Sequence, residues 1–142
     1  MRKLIFLAAI FCFVMAQKVE DCPPFGTELN CSGEFSPVCG VRGFSNNKQI
    51  RETYYNQCIA CKIGHVEYTV EGKCEEFPED GHFCSPTESK QEICRYLDSP
   101  RCGYFNKDVS CTSPPCVKDG RNVCMTCSIK NMLYTTKGKC KQ

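Results

Sequence analysis

In this chain of 142 residues, 18 lysines and arginines stand against 16 aspartates and glutamates, a formal net charge of +2. That balance lacks the one-signed charge a nucleic-acid partner requires. Fifteen cysteines beside only two histidines point away from hydrolase and metal-ligand chemistry and toward a disulfide scaffold made in an oxidising compartment.

The chain opens with Arg2 and Lys3, continues as an apolar run from Leu4 to Ala16, and turns polar at Gln17, with Val14 and Ala16 as small residues before the turn. Positions 1–16 therefore read as a secretory signal peptide, with a secreted, extracellular protein starting near Gln17. No later apolar run has spanning length, so no membrane partner is expected. Cys12 leaves with the leader, and fourteen cysteines remain in 126 residues. Units of about sixty residues bury too little apolar surface to be comfortably stable alone, so staples of roughly 3–4 kcal/mol each must supply the difference.

Cys22, Cys31, Cys39, Cys58, Cys61 and Cys74 are separated by 8, 7, 18, 2 and 12 residues. The acidic stretch that follows contains Pro78 and Gly81, which continue neither helix nor strand, and 77–82 reads as a linker. Beyond it, Cys84, Cys94, Cys102, Cys124, Cys127 and Cys140 are separated by 9, 7, 21, 2 and 12 residues. "SPVCG" returns as "SPRCG" and "YTVEGKC" as "YTTKGKC", so 17–76 and 83–142 are copies of one module. Cys111 and Cys116 are extra to the second copy and read as a local staple across "TSPP". Six basic and eleven acidic residues lie from Gln17 to Asp80, ten and five from Gly81 to Gln142; this is either two solvated surfaces or an attraction between halves.

Within each copy, "NQCIACKI" (Asn56 to Ile63), closed by a left-handed Gly64, and "NVCMTCSI" (Asn122 to Ile129) predict short helices. Cys58 and Cys61 share one helix face. Strands follow at "VEYTV", with Val66, Tyr68 and Val70 toward one side, and at "MLYTT". "CIAC" and "CMTC" match redox and zinc spacings, but no second ligand pair accompanies either, and structural disulfides are the reading taken. His65 and His82 lack a nucleophile motif, so no enzyme, cofactor or metal is expected. Asn30 heads an "NCS" glycosylation sequon.

Six cysteines in this order, seven residues between the second and third, "PVCG" closing that interval, "TYYNQC" before the helix and "GKC" at the end resemble a Kazal-type serine protease inhibitor domain. The resemblance covers the first copy and, through the repeat, the second. It departs in the 18- and 21-residue gaps and in "KDGRNVC", where the second copy lacks "TY". It implies a small disulfide-rich fold of two tandem Kazal-like modules, each a short helix packed on a small antiparallel sheet with an extended reactive loop. It also implies the pairs Cys22–Cys61, Cys31–Cys58, Cys39–Cys74, Cys84–Cys127, Cys94–Cys124 and Cys102–Cys140, with Cys111–Cys116 added by the local reading.

By the same resemblance, Gly33 and Tyr96 are the specificity positions, Glu34 and Leu97 follow the scissile bonds, and Asn56 and Asn122 support the loops from beneath. A plain helix-start asparagine would look the same in sequence. Tyr96 suits the apolar pocket of a chymotrypsin-like or subtilisin-like protease, or is an ordinary exposed aromatic; Gly33 fills nothing. The gaps, "VRGFSNNKQIRE" and "YFNKDVSCTSPPCVKDGR", are either a second contact surface or solvated excursions. The expected function is inhibition of secreted serine proteases. The other reading, favoured by Gly33 and the enlarged gaps, is a non-inhibitory Kazal-like binding or structural module. Non-reducing digestion with mass spectrometry is expected to recover seven disulfides, none joining the halves; one bridge from Cys22–Cys74 into the second half would remove the two-module reading.

Overall fold

The computed structural model describes residues 17–141, and the leader expected over 1–16 lies outside the described residues. The first half runs β1 (Val19–Asp21), β2 (Val38–Ser45), β3 (Lys48–Tyr54), α1 (Gln57–Ile63) and β4 (Tyr68–Glu71). The second runs β5 (His82–Phe83), α2 (Pro86–Ser89), β6 (Arg101–Phe105), β7 (Val117–Gly120), α3 (Val123–Cys127) and β8 (Met132–Lys137). Each half forms one antiparallel four-stranded sheet, in the orders β1-β4-β2-β3 and β5-β8-β6-β7, so corresponding strands take corresponding places. The molecule is a disulfide-rich chain of small antiparallel sheets and short helices.

Seven disulfides close among the described residues: Cys22–Cys61, Cys31–Cys58, Cys39–Cys74, Cys84–Cys127, Cys94–Cys124, Cys102–Cys140 and Cys111–Cys116. In each half the helix takes two of them on one face, and a third ties the first central-strand cysteine to the end of the module. This suits helices far too short to persist by themselves.

Gly64 is not the left-handed residue. It is right-handed at φ −83°, and His65 takes φ +48°, as Asn131 does at +66° in the second half. Glycine is needed at 64 for space: a Cβ there would lie 2.6 Å from the Ala60 carbonyl oxygen and 2.7 Å from the Tyr54 ring. Helix α3 ends at Cys127, before the expected Ile129, because Ile129 N–H turns back to the Thr126 carbonyl at 3.1 Å. Where the first half has Tyr54, the second has Gly120, and a Cβ there would collide with Thr126. Thr126 is fully buried and its hydroxyl donates to the Asn122 carbonyl at 2.6 Å. The missing tyrosine is thus offset by a larger helix residue pressing on a bare backbone.

The long gap in the first half is a hairpin, β2–β3, turning at Asn46 and Asn47 with φ of +51° and +61°. Two left-handed residues match the twist of the flanking strands, and asparagine tolerates that conformation. The hairpin carries the attachment to the second half. Gln49 accepts the Phe83 N–H at 2.8 Å and donates to the Phe83 carbonyl at 2.9 Å and the Tyr68 hydroxyl at 2.7 Å. Arg51 donates to the Pro78 and Glu79 carbonyls at 3.1 and 2.7 Å, with its guanidinium 5.2 Å from the Phe83 ring centre. Burial lowers the Arg51 pKa and, with nearby Glu88 and Glu67, pushes the Tyr68 phenol far up, so Tyr68 stays a donor to the Phe83 carbonyl at 3.2 Å.

One core crosses the boundary: Cys39, Val41, Tyr68 and Val70 pack with Phe77, Phe83 and Leu133. Phe77 meets Phe83 edge-on at 4.8 Å and Tyr134 at 5.9 Å. The segment read as a linker is therefore packed at its start, turns at Pro78–Gly81 and enters β5 at His82. His82 stacks on Phe44 and bonds Glu88 at 2.9 Å. Burial opposes ionisation of Glu88, but His82 and Ser85 outweigh it and hold its pKa below the ordinary value. Among the described residues no ion pair joins an acidic residue of 17–80 to a basic residue of 81–142: the pairs are Arg42–Glu52, Lys48–Glu79, His82–Glu88 and Arg121–Asp98.

Because Phe77 fills space shared by both halves, Phe77→Ala is expected to lower stability by about 3–5 kcal/mol. Denaturant unfolding of the oxidised chain checks this. A loss below about 1 kcal/mol would mean that the halves do not depend on their common core.

Candidate functional site

Two exposed segments, Cys31–Cys39 and Cys94–Cys102, are tied at both ends. Cys31 is bonded to Cys58 and Cys94 to Cys124, both on the helices, while Cys39 and Cys102 lie in central strands and hold Cys74 and Cys140. Residues 32–36 and 95–100 are exposed between these anchors. The far end of each loop is fixed again where the Gly72 and Gly138 N–H groups reach the Pro37 and Pro100 carbonyls at 3.0 and 2.9 Å. Both glycines have positive φ, +103° and +86°, where a side chain would be strained.

Asn56 and Asn122, 7% and 8% exposed, sit between loop and helix. The Asn56 Nδ2 donates to the Ser32 and Glu34 carbonyls at 3.2 and 2.8 Å, and its Oδ1 accepts the Ile59 N–H at 2.8 Å. Asn122 donates to the Arg95 and Leu97 carbonyls at 3.1 and 2.9 Å and accepts the Met125 N–H at 2.9 Å. Loop support and helix start, open alternatives in the sequence, are both made by one carboxamide, which has the two donors and the acceptor for it. The bridged carbonyls flank Gly33 and Tyr96.

Tyr96 is 76% exposed and Leu97 64%. Glu34 is also exposed, and a Cβ built on Gly33 would meet nothing within 4 Å. Sequence reasoning missed the residues just before the asparagines. The Tyr55 and Arg121 carbonyls accept the Ser36 and Ser99 N–H groups at 3.1 and 2.9 Å. The Tyr55 ring lies 4.9 Å from Phe35, and Arg121 lies 3.5 Å from the Asp98 carboxylate with its guanidinium 4.0 Å from the Tyr96 ring centre. Only their adjacency to Asn56 and Asn122 could have signalled them. Thr53 and Asp119 were missed as a pair: each accepts the N–H of its module's last cysteine, Cys74 at 2.9 Å and Cys140 at 2.6 Å.

All fourteen cysteines among the described residues are in disulfides, so neither "CIAC" nor "CMTC" offers a thiolate. His82, Glu88 and Cys127 lie close together, but the Cys127 sulfur is bonded to Cys84 and only two ligand groups remain. Asn30 is exposed, beside the bridged Cys31. Among the described residues no helix is long and apolar enough to cross a membrane. No protein-family model, curated protein or solved structure matches the chain.

Asn122→Asp separates the two jobs of the carboxamide, because a carboxylate still accepts from Met125 but cannot donate to Arg95 and Leu97. The helix is expected to persist while the loop loosens, at a cost of about 1–3 kcal/mol. Hydrogen exchange should show faster exchange confined to 94–102; exchange spreading equally into α3 would show that the cap alone matters.

Proposed function

We propose that the chain is a secreted inhibitor of serine proteases, built from two divergent Kazal-like modules that each present a substrate-like loop. The observation that carries this reading is the pair of hydrogen bonds from one buried asparagine to the carbonyls on either side of Gly33 and of Tyr96. A protease binds substrate as an extended strand, and a loop already fixed by two disulfides and a carboxamide loses little conformational freedom on binding. The complete pairing of the described cysteines fits an oxidising, extracellular compartment.

The same anchoring accounts for inhibition without a catalytic residue on the inhibitor. The protease serine oxygen adds to the Tyr96 carbonyl, the Tyr96–Leu97 bond breaks, and the Leu97 amine takes the proton. In a free peptide that amine diffuses away. Here the Cys102–Cys140 bond and the hydrogen bonds of 97–100 keep it beside the acyl-enzyme, where it attacks the ester carbonyl; the amide re-forms as the ester bond to the serine breaks, and the amine's proton returns to the serine oxygen. The acyl-enzyme partitions back to the intact loop, and net hydrolysis is slow.

Tyr96 selects an apolar primary pocket, which makes chymotrypsin-like or subtilisin-like proteases the partners of the second module. The first module favours a second reading for its own half. With Gly33 over open space it offers no side chain to a pocket, so it acts on small-pocket enzymes or serves as a non-inhibitory binding or structural module. In either case the Gly33–Glu34 loop contributes shape rather than anchor.

The test is a panel of trypsin-, chymotrypsin-, elastase- and subtilisin-like enzymes against the oxidised chain. Tyr96→Lys is expected to move inhibition toward trypsin-like enzymes, since an apolar pocket rejects an unpaired ammonium. Tyr96→Gly is expected to weaken inhibition by several kcal/mol through lost aromatic burial. If the wild type inhibits none of these enzymes, or neither substitution changes inhibition, the binding-module reading replaces this one.

A further inference from the structure

The residue before each supporting asparagine is fixed in place by the helix cap that follows it, and in both halves it reaches back to the loop. In the second half this contact is the more extensive. Arg121 accepts the Ser99 N–H through its carbonyl, faces the Asp98 carboxylate through Nε, and lays its guanidinium 4.0 Å from the Tyr96 ring centre. Asn122 adds the Arg95 and Leu97 carbonyls. The dipeptide Arg121–Asn122 therefore grips Arg95 and Tyr96 on one side of the Tyr96–Leu97 bond and Leu97, Asp98 and Ser99 on the other. In the first half, Tyr55 touches Phe35 and bonds Ser36, but Gly33 gives it nothing to hold before the corresponding bond.

We infer that Arg121 is a positioning residue of the second loop. In the free loop its guanidinium holds the Tyr96 ring, a contact given up when that ring enters a protease pocket, while its pair with Asp98 and its carbonyl bond to Ser99 keep the leaving side of the Tyr96–Leu97 bond in place, so that a cut loop is presented for rejoining rather than release. This rests on the inhibitory reading for its consequence, though not for its geometry. A planar guanidinium suits the task because in the free loop it can lie over a ring and face a carboxylate along its edge at once. The Arg121 side chain is 42% exposed and that of Asp98 78%, so the ion pair is screened and weak by itself. Once the Tyr96 ring has left for the pocket, the pair on the leaving side, partly desolvated by the bound protease, sets the size of the effect.

The experiment compares the oxidised wild-type chain with Arg121→Leu and Arg121→Lys. Arg121→Leu keeps the backbone carbonyl and leaves Asn122 untouched, so the thermal midpoint should barely move. In proton NMR the wild-type Arg121 side-chain protons should be shifted upfield by the Tyr96 ring, and Tyr96→Leu should abolish the shift. With a protease that the chain inhibits, net cleavage of Tyr96–Leu97 should rise roughly three- to tenfold in Arg121→Leu. Arg121→Lys, which keeps the charge but loses the planar fork that faces Asp98, should fall between. High salt should raise cleavage of the wild type more than that of Arg121→Leu, a difference no purely structural role would produce.

Absence of the ring-current shift overturns the inference, and so does a shift accompanied by unchanged cleavage in Arg121→Leu. A wild type that inhibits no protease overturns the inhibitory reading alone. Arg121 is then judged by the rate at which chymotrypsin cuts the loop as a plain substrate, where the same rise supports a positioning role and no rise removes it.

Discussion

An asparagine carboxamide has two N–H donors and one accepting oxygen, and in each half of this chain those groups serve two different elements. The oxygen starts a helix that is too short to form without a cap and its disulfides. The nitrogen draws two loop carbonyls toward the same point. Helix and loop are thereby parts of one object. The helix is placed by the cysteines on its buried face, the asparagine is placed by the helix, and the loop is placed by the asparagine. Because Asn56 and Asn122 are buried, an amide left with unpaired donors there would be costly, which favours the loop in its bonded position.

A second constraint joins the halves, and it arises from the hairpin of the first half. At the far end of the hairpin β2–β3, Gln49 treats Phe83 as a neighbouring strand would, bonding both its N–H and its carbonyl. Arg51 satisfies the carbonyls of the turn between the halves. Phe77 and Phe83 then fill a core to which both sheets contribute. Hydrogen bonds and ring packing dominate here, and the opposite net charges of the halves remain on solvated surfaces.

What could be read from the sequence was whatever repeats or follows a local rule. Cysteine spacing and the paired phrases marked two similar units, and Asn56 and Asn122 marked helix starts because side-chain caps are local. The left-handed residue was misplaced by one position, from His65 to Gly64, since glycine has two uses and sequence does not say whether conformation or space is the reason. Contacts between residues distant in the chain were not legible. Thr53 and Asp119 do the same work with different chemistry, and Tyr54 with Ala60 exchanges for Gly120 with Thr126, so identity was lost while the shape was kept. Arg121 and Tyr55 share a position and a carbonyl bond to the loop serine, but not a side chain. The packing of Phe77 was hidden because an acidic stretch with Pro78 and Gly81 carries the composition of a tether whether or not it is folded against something.

The docking of Gln49 on Phe83 makes the order of the two modules matter. Duplication ordinarily yields interchangeable beads, which can be multiplied or shuffled because each closes on itself. Here the first copy has given one of its outer strands a receptor and the second supplies the backbone that fits it, so the relation is directional. A third copy appended after Cys140 would find no hairpin bearing glutamine and arginine at the matching places on the second, whose longer gap is drawn in by the Cys111–Cys116 bond instead. The contact is directional, and repeating the second copy would not reproduce it.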